Sequence, residues 1–159
     1  GSASPNPGPC GAGATLYAAD GSGWEVEAFA SLGHGTNNIG ELWAIGMAVQ
    51  HSVNALPDLP LITHLYILSD SQLSKDLLTG KSKASSPALH SLVEAVLLII
   101  ATIPPRISLE IRWVPAHVGI ERNERADKLA ARGSRNSQRG LISVDRHRGI
   151  EHVDFLPPD

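Results

Sequence analysis

Leu61-Ile62-Thr63-His64-Leu65-Tyr66-Ile67-Leu68-Ser69-Asp70-Ser71 is an almost unbroken apolar run that stops at a polar triplet. Pro57 and Pro60 bound it on the other side. A run this short and continuous predicts a strand covered on both faces, and therefore a parallel sheet with helices packed against it. In open α/β sheets ligands collect outside the carboxyl ends of the strands, which is where Asp70 stands.

Working upstream, apolar residues at 39, 42, 43, 45, 49 and 53 recur at helical spacing and predict a helix from about Asn38 to Val53. Before it, Ala14 to Ala19 and Trp24 to Leu32, joined by Asp20-Gly21-Ser22-Gly23, read as a hairpin. Downstream, a short helix is expected over Gln72 to Leu78, and a longer one opens at Pro87 and runs to about Thr102. Ile107, Leu109, Ile111 and Trp113 alternate with Ser108, Glu110 and Arg112, the pattern of a half-buried strand. Glu121 to Arg132 reads as the last helix, with Glu121/Arg125 and Glu124/Lys128 at i,i+4 spacing. Residues 134–159 are polar, rich in Arg and His, and are expected to form a disordered or loosely attached tail to one domain over 1–133.

The 159 residues, 42% hydrophobic, suffice for one core. A single cysteine, Cys10, excludes an intramolecular disulfide and a zinc cluster, which fits an intracellular setting. The longest apolar run is far short of the roughly 20 residues needed to cross a bilayer, so no membrane partner is expected. A net charge of −3 argues against a protein that grips nucleic acid through a general basic surface. Acidic residues gathered around a cation would contribute to that balance.

Three acidic residues stand at informative places: Glu41 near the start of the first helix, Asp70 at the end of the buried strand, and Asp127 on the last helix. Each also has an ordinary structural role open to it. Asn38 and Glu41 have capping-box spacing, Asp70 could cap the helix that follows, and Asp127 could sit on a solvated helical face. Their settings together favour a common site at the strand's carboxyl end.

Gly1-Ser2-Ala3-Ser4-Pro5-Asn6-Pro7-Gly8-Pro9, Thr36-Asn37-Asn38-Ile39-Gly40-Glu41-Leu42, Ser69-Asp70-Ser71-Gln72, Trp113-Val114-Pro115-Ala116-His117-Val118-Gly119 and Asn123-Glu124-Arg125-Ala126-Asp127 resemble, in order, the successive motifs of type I ribonuclease H. The likeness is strongest to the ribonuclease H domains of fungal retroelements. It implies an α/β ribonuclease H-like fold, a mixed central sheet of an antiparallel hairpin plus parallel strands flanked by helices. It implies a nuclease that hydrolyses the RNA strand of an RNA–DNA hybrid, leaving a 5′-phosphate and a 3′-hydroxyl. Glu41, Asp70 and Asp127 become ligands of two Mg²⁺ ions, with Mn²⁺ as substitute; such paired ions lie roughly 3.5–4 Å apart, activate water and stabilise the departing oxygen. His117 resembles the family's loop histidine, which relays a proton or assists product release. Asn6, Asn37, Asn38 and Gln72 fall where the family contacts the hybrid, and amides can read a ribose 2′-hydroxyl. Cap and turn chemistry is the competing role for these amides, for Asn37 above all.

The sequence also departs from the pattern. The family's first motif opens with an aspartate immediately before Gly-Ser, at the end of a central strand lying between the hairpin and the buried strand. Gly1 opens this sequence, so the resemblance implies a domain lacking that strand and that carboxylate, inactive or weakly active as it stands. Leu141-Ile142-Ser143-Val144-Asp145 is the one downstream segment with the composition to fill the gap instead. Between Thr79 and Ser86 only Lys81 and Lys83 are basic, so phosphate binding should be weak and salt-sensitive. A neighbouring reverse transcriptase or hybrid-binding domain is the expected partner, in nucleus or cytoplasm. Two other functions compete: a non-catalytic hybrid-binding or tethering domain, and another polynucleotidyl transferase of the integrase or resolvase kind.

Overall fold

The structure, a computed structural model, describes residues 1–115, 119, 121–135, 140–145 and 149–152. Its elements in chain order are β1 (Ser2–Ala3), β2 (Gly8–Tyr17), β3 (Glu25–Gly35), α1 (Asn37–Ala55), β4 (His64–Ser69), α2 (Gln72–Thr79), α3 (Pro87–Ile100), β5 (Ser108–Trp113), α4 (Glu121–Arg135), β6 (Gly140–Asp145) and β7 (Gly149–His152). The α/β class and the mixture of antiparallel and parallel pairing follow the sequence reading. β2 and β3 pair antiparallel around Asp20-Gly21-Ser22-Gly23, while β4 and β5 pair parallel.

Helix starts follow local chemistry. Ser86 caps α3, its hydroxyl accepting from the Leu89 N–H, with Pro87 in the first turn. Ser71 caps α2 by accepting from the Ser74 N–H, and Gly80 ends that helix in the left-handed region. One core joins the sheets to the helices: Leu42, Met47 and Val49 of α1, Val96 of α3 and Ile67 of β4 are buried together.

Among the described residues the two sheets do not join. One runs β1-β2-β3-β6-β7 and the other β4-β5. β1 pairs with β2 only through Ser2 opposite Gly11 and Ala3 opposite Cys10. Beyond that point β2 and β4 face each other across a cavity of about 620 Å³, bordered by Gly13 to Ala19 on one side and Leu61 to Asp70 on the other.

Several expectations are corrected. β4 is not covered on both faces: Ile67 and Ser69 are buried, but Tyr66 and Leu68 remain 49% and 54% exposed. Among the described residues its only ladder is with β5, and only one of its faces joins the helical core. The segment Leu141 to Asp145 does not enter the gap beside β4; it pairs antiparallel with β3, Val26 opposite Asp145 through Ala30 opposite Leu141. Regular secondary structure continues past Gly133: α4 ends at Arg135, and β6 and β7 extend the sheet. The physical reason is β3's outer edge, whose N–H and C=O groups require partners. In place of the expected Glu121/Arg125 pair, Arg125 forks onto Glu27 of β3 at 2.7 and 3.1 Å, and Arg122 meets Glu25 at 3.2 Å. A planar guanidinium gains more from a fixed, nearly buried carboxylate than from a solvated one on its own helix. No helix among the described residues is long and apolar enough to cross a membrane.

Candidate metal centre

Glu41 comes from α1, whose cap is Thr36; the Thr36 hydroxyl accepts from the Ile39 N–H at 3.3 Å. This displaces the capping box expected of Asn38 and Glu41. The helix starts at Asn37, which places Glu41 beyond the first turn and leaves its carboxylate to face the sheet. Close approach of α1 to the sheet depends on small residues: a Cβ on Gly40 would stand 2.5 Å from the Gly11 carbonyl and 2.9 Å from the Gly1 Cα. The Gly1 ammonium reaches Glu41 Oε1 at 2.6 Å.

Asp70 follows the last residue of β4. Ser71, not Asp70, caps α2, so its carboxylate is not consumed at the helix start. The indole N–H of Trp113, from β5, donates to the Asp70 carbonyl at 3.2 Å. The side-chain amide of Asn123, from α4, donates to Asp70 Oδ2 at 3.1 Å.

Asp127 is carried by α4, which lies against β2 at backbone distance. A Cβ on Gly11 would run into the Ala130 carbonyl, one on Gly13 into the Ala126 carbonyl, and one on Gly133 into the Ala30 carbonyl. Two glycines in a strand and a glycine on the facing helix thus set how near Asp127 comes to the other two.

The three acids meet. One carboxylate oxygen from each lies within 4.8 Å of the other two, and all three side chains are partly buried. Burial pushes the Glu41 carboxyl above its ordinary value; Asp70 and Asp127 push the same way, and the Gly1 ammonium pulls against them. Hard oxygen donors, partial burial and mutual repulsion together fit a divalent cation. A cation placed among them would relieve the cost of keeping Glu41 ionised.

The amides predicted to touch substrate are only partly gathered. Asn37 Oδ1 accepts from the Ala3 N–H at 2.6 Å, and Asn6 Oδ1 accepts from the Asn37 N–H at 3.1 Å. These two tie β1, the following loop and the start of α1 together, and Asn38 is exposed beside them. Gln72 instead donates to Asp76 Oδ1 within α2, at 2.9 Å. His117 lies outside the described residues. Asn123 and Trp113 were missed as site residues; the signal for Asn123 was its place four residues before Asp127, on the same helical face.

The RNase H family model matches residues 1–135. A ribonuclease H of Roseobacter denitrificans is 32% identical over 145 residues, spanning 84% of this chain and 90% of that protein. A bifunctional protein of Mycobacterium tuberculosis is 34% identical over 126 residues, which are 79% of this chain but only 31% of that protein. Among solved structures, an RNase H1 isolated from compost shares the fold with a TM-score of 0.54 at 20% identity, covering 77% of this chain and 91% of that one. On the family match and the Roseobacter relative together, this chain belongs to the ribonuclease H family.

Proposed function

We propose that the domain hydrolyses the RNA strand of RNA–DNA hybrids with two divalent cations, Mg²⁺ by preference, held by Glu41, Asp70 and Asp127. The observation that carries this reading is the meeting of three carboxylates from α1, β4 and α4 within 4.8 Å. Bound cations supply Lewis acidity for an in-line displacement at a phosphodiester. The chain's own part is to fix the three carboxylates at the open end of β4 and align the hybrid. Because the Asn6 and Asn37 oxygens already accept backbone N–H groups, their NH₂ groups are the ones left to donate to a ribose 2′-hydroxyl. Asn38 and Gln72 complete that contact set, and His117 serves proton relay or product release.

Completion of the carboxylate set by an aspartate preceding Gly1 belongs to the same proposal. The register Ser2 opposite Gly11 and Ala3 opposite Cys10, continued past Gly1, sets the preceding residue opposite Gly13. Gly13 faces α4 at Ala126, next to Asp127. Opposed residues in an antiparallel pair share a face, so a carboxylate there would point at the cluster. Residues further upstream would run between β2 and β4, along the cavity. A retroelement origin, a reverse transcriptase or other hybrid-binding domain as neighbour, and action in nucleus or cytoplasm complete the reading; the longer, bifunctional mycobacterial relative supports the neighbour.

The test is a chain extended upstream with Asp before Gly1. It should cut hybrid in Mg²⁺, stop on addition of EDTA, and lose several orders of magnitude in rate on Asp70→Asn. Hybrid binding without cleavage would select a tethering domain, and cleavage of duplex DNA instead would select an integrase- or resolvase-like enzyme.

A further inference from the structure

We propose that Asn123 is a positioning residue for the metal centre, holding the Asp70 carboxylate in its cation-binding orientation; the inference rests on the function proposed above. Asp70 stands at the end of a strand that borders the cavity on its β2 side and, among the described residues, pairs only with β5. Two polar contacts hold it there. The Trp113 indole anchors the Asp70 backbone from β5 at 3.2 Å, and the Asn123 amide anchors the side chain from α4 at 3.1 Å.

The chemistry suits the role. An ionised carboxylate only accepts, so an amide facing it must present its nitrogen. A donor on Oδ2 fixes the carboxylate torsion and consumes one lone pair, leaving Oδ1 and the remaining pair for a cation. Asn is neutral, so it orients Asp70 without competing as a counter-ion, which a Lys or Arg at this position would do. Asn123 and Asp127 lie one helical turn apart on the same face of α4. The helix that delivers one ligand therefore also sets the direction of another, and a shift of α4 would move both together. Polar groups that orient metal ligands typically account for about 10–100-fold in metal affinity.

Mn²⁺ binding to the 159-residue chain, measured by calorimetry alongside the thermal midpoint, tests this directly. Asn123→Ala should weaken Mn²⁺ about tenfold with the midpoint little changed, the low end of the range for such groups. In an Asp70→Asn background the same substitution should cost nothing further, because the group it orients is gone. Asn123→Gln, which keeps the donor, should recover part of the affinity and guards against a folding defect in the Ala variant. Unchanged Mn²⁺ affinity in Asn123→Ala, or an equal loss in both backgrounds, overturns the positioning role. If Asp70→Asn itself leaves Mn²⁺ binding intact, the metal centre fails instead, a result distinct from failure of Asn123 alone.

Discussion

β2 has two unlike flanks. Over its α4 face, Gly11 and Gly13 lie so close to the helix backbone that a single added carbon has no room. Along its β4 side the same strand borders an apolar cavity of about 620 Å³. The carboxylate cluster lies where these flanks meet: Asp127 is placed by backbone contact, Asp70 by two hydrogen bonds at the end of a strand that, among the described residues, has one neighbour. Rigidity on one side is built from missing side chains. On the other it depends on polar contacts, which give more easily.

The sharpest way to break the comparison is Gly13→Val. Its Cβ would meet the Ala126 carbonyl and stand 2.7 Å from the Leu129 Cβ, so α4 must lift from β2. Denaturant unfolding should show a loss of about 3 kcal/mol, and Asp127 should leave the cluster. Ordinary stability in that variant would mean the helix is not held at backbone distance.

A second, smaller effect concerns the outer face of the same contact. Arg125→Ala takes the forked guanidinium from Glu27, whose side chain is 9% exposed, and should cost about 1–3 kcal/mol in urea unfolding. Arg122→Ala, at a pair whose carboxylate is 27% exposed, should cost less than about 1 kcal/mol. Equal costs would show that burial of the carboxylate does not set the difference.

At the junction, pH gives the sign. The Glu41 carboxyl titrates above its ordinary value in the folded chain, so its ionisation costs folding free energy. That cost is absent below the ordinary glutamate range and sets in as pH rises through the folded value. Glu41→Gln should therefore melt higher than the parent at neutral pH, by about 2–4 °C for each kcal/mol recovered. The gap should close on acidification to about pH 4, where free glutamate protonates. A variant less stable at neutral pH would mean that the contact with the Gly1 ammonium outweighs burial.

The smallest effect should come from the loose flank. Ala48→Leu adds a side chain at the cavity and should change stability by less than about 1 kcal/mol in thermal unfolding, against the large loss at Gly13. A severe loss would show that the cavity wall tolerates no more than the α4 contact does.

Much of this was readable in the sequence where local chemistry decides. Hydrophobic period located the helices and strands, and Asp70 stood out because a buried run ended on it. The assembly of Glu41, Asp70 and Asp127 was legible only through the five ordered motifs, since residues so far apart along the chain have no shared period. Capping was misread at Asn38 because Thr36 and Asn38 are both good caps; the Ile39 N–H donates to the Thr36 hydroxyl, so the helix starts earlier than a cap at Asn38 would set it. The ion pairs of α4 were misassigned because helical spacing cannot see β3. The strand character of Leu141 to Asp145 was legible, but its partner was not, because composition gives no hint of which open edge a strand joins. Asn123 was quoted within a motif but given no role, because its partner is 53 residues away.

The most direct measurement is anomalous diffraction from crystals of the chain soaked in Mn²⁺. The account expects manganese density bound by carboxylate oxygens of Glu41, Asp70 and Asp127, and its loss in Asp70→Asn. Manganese bound elsewhere, or three carboxylates that stay together yet take up no ion, would contradict it.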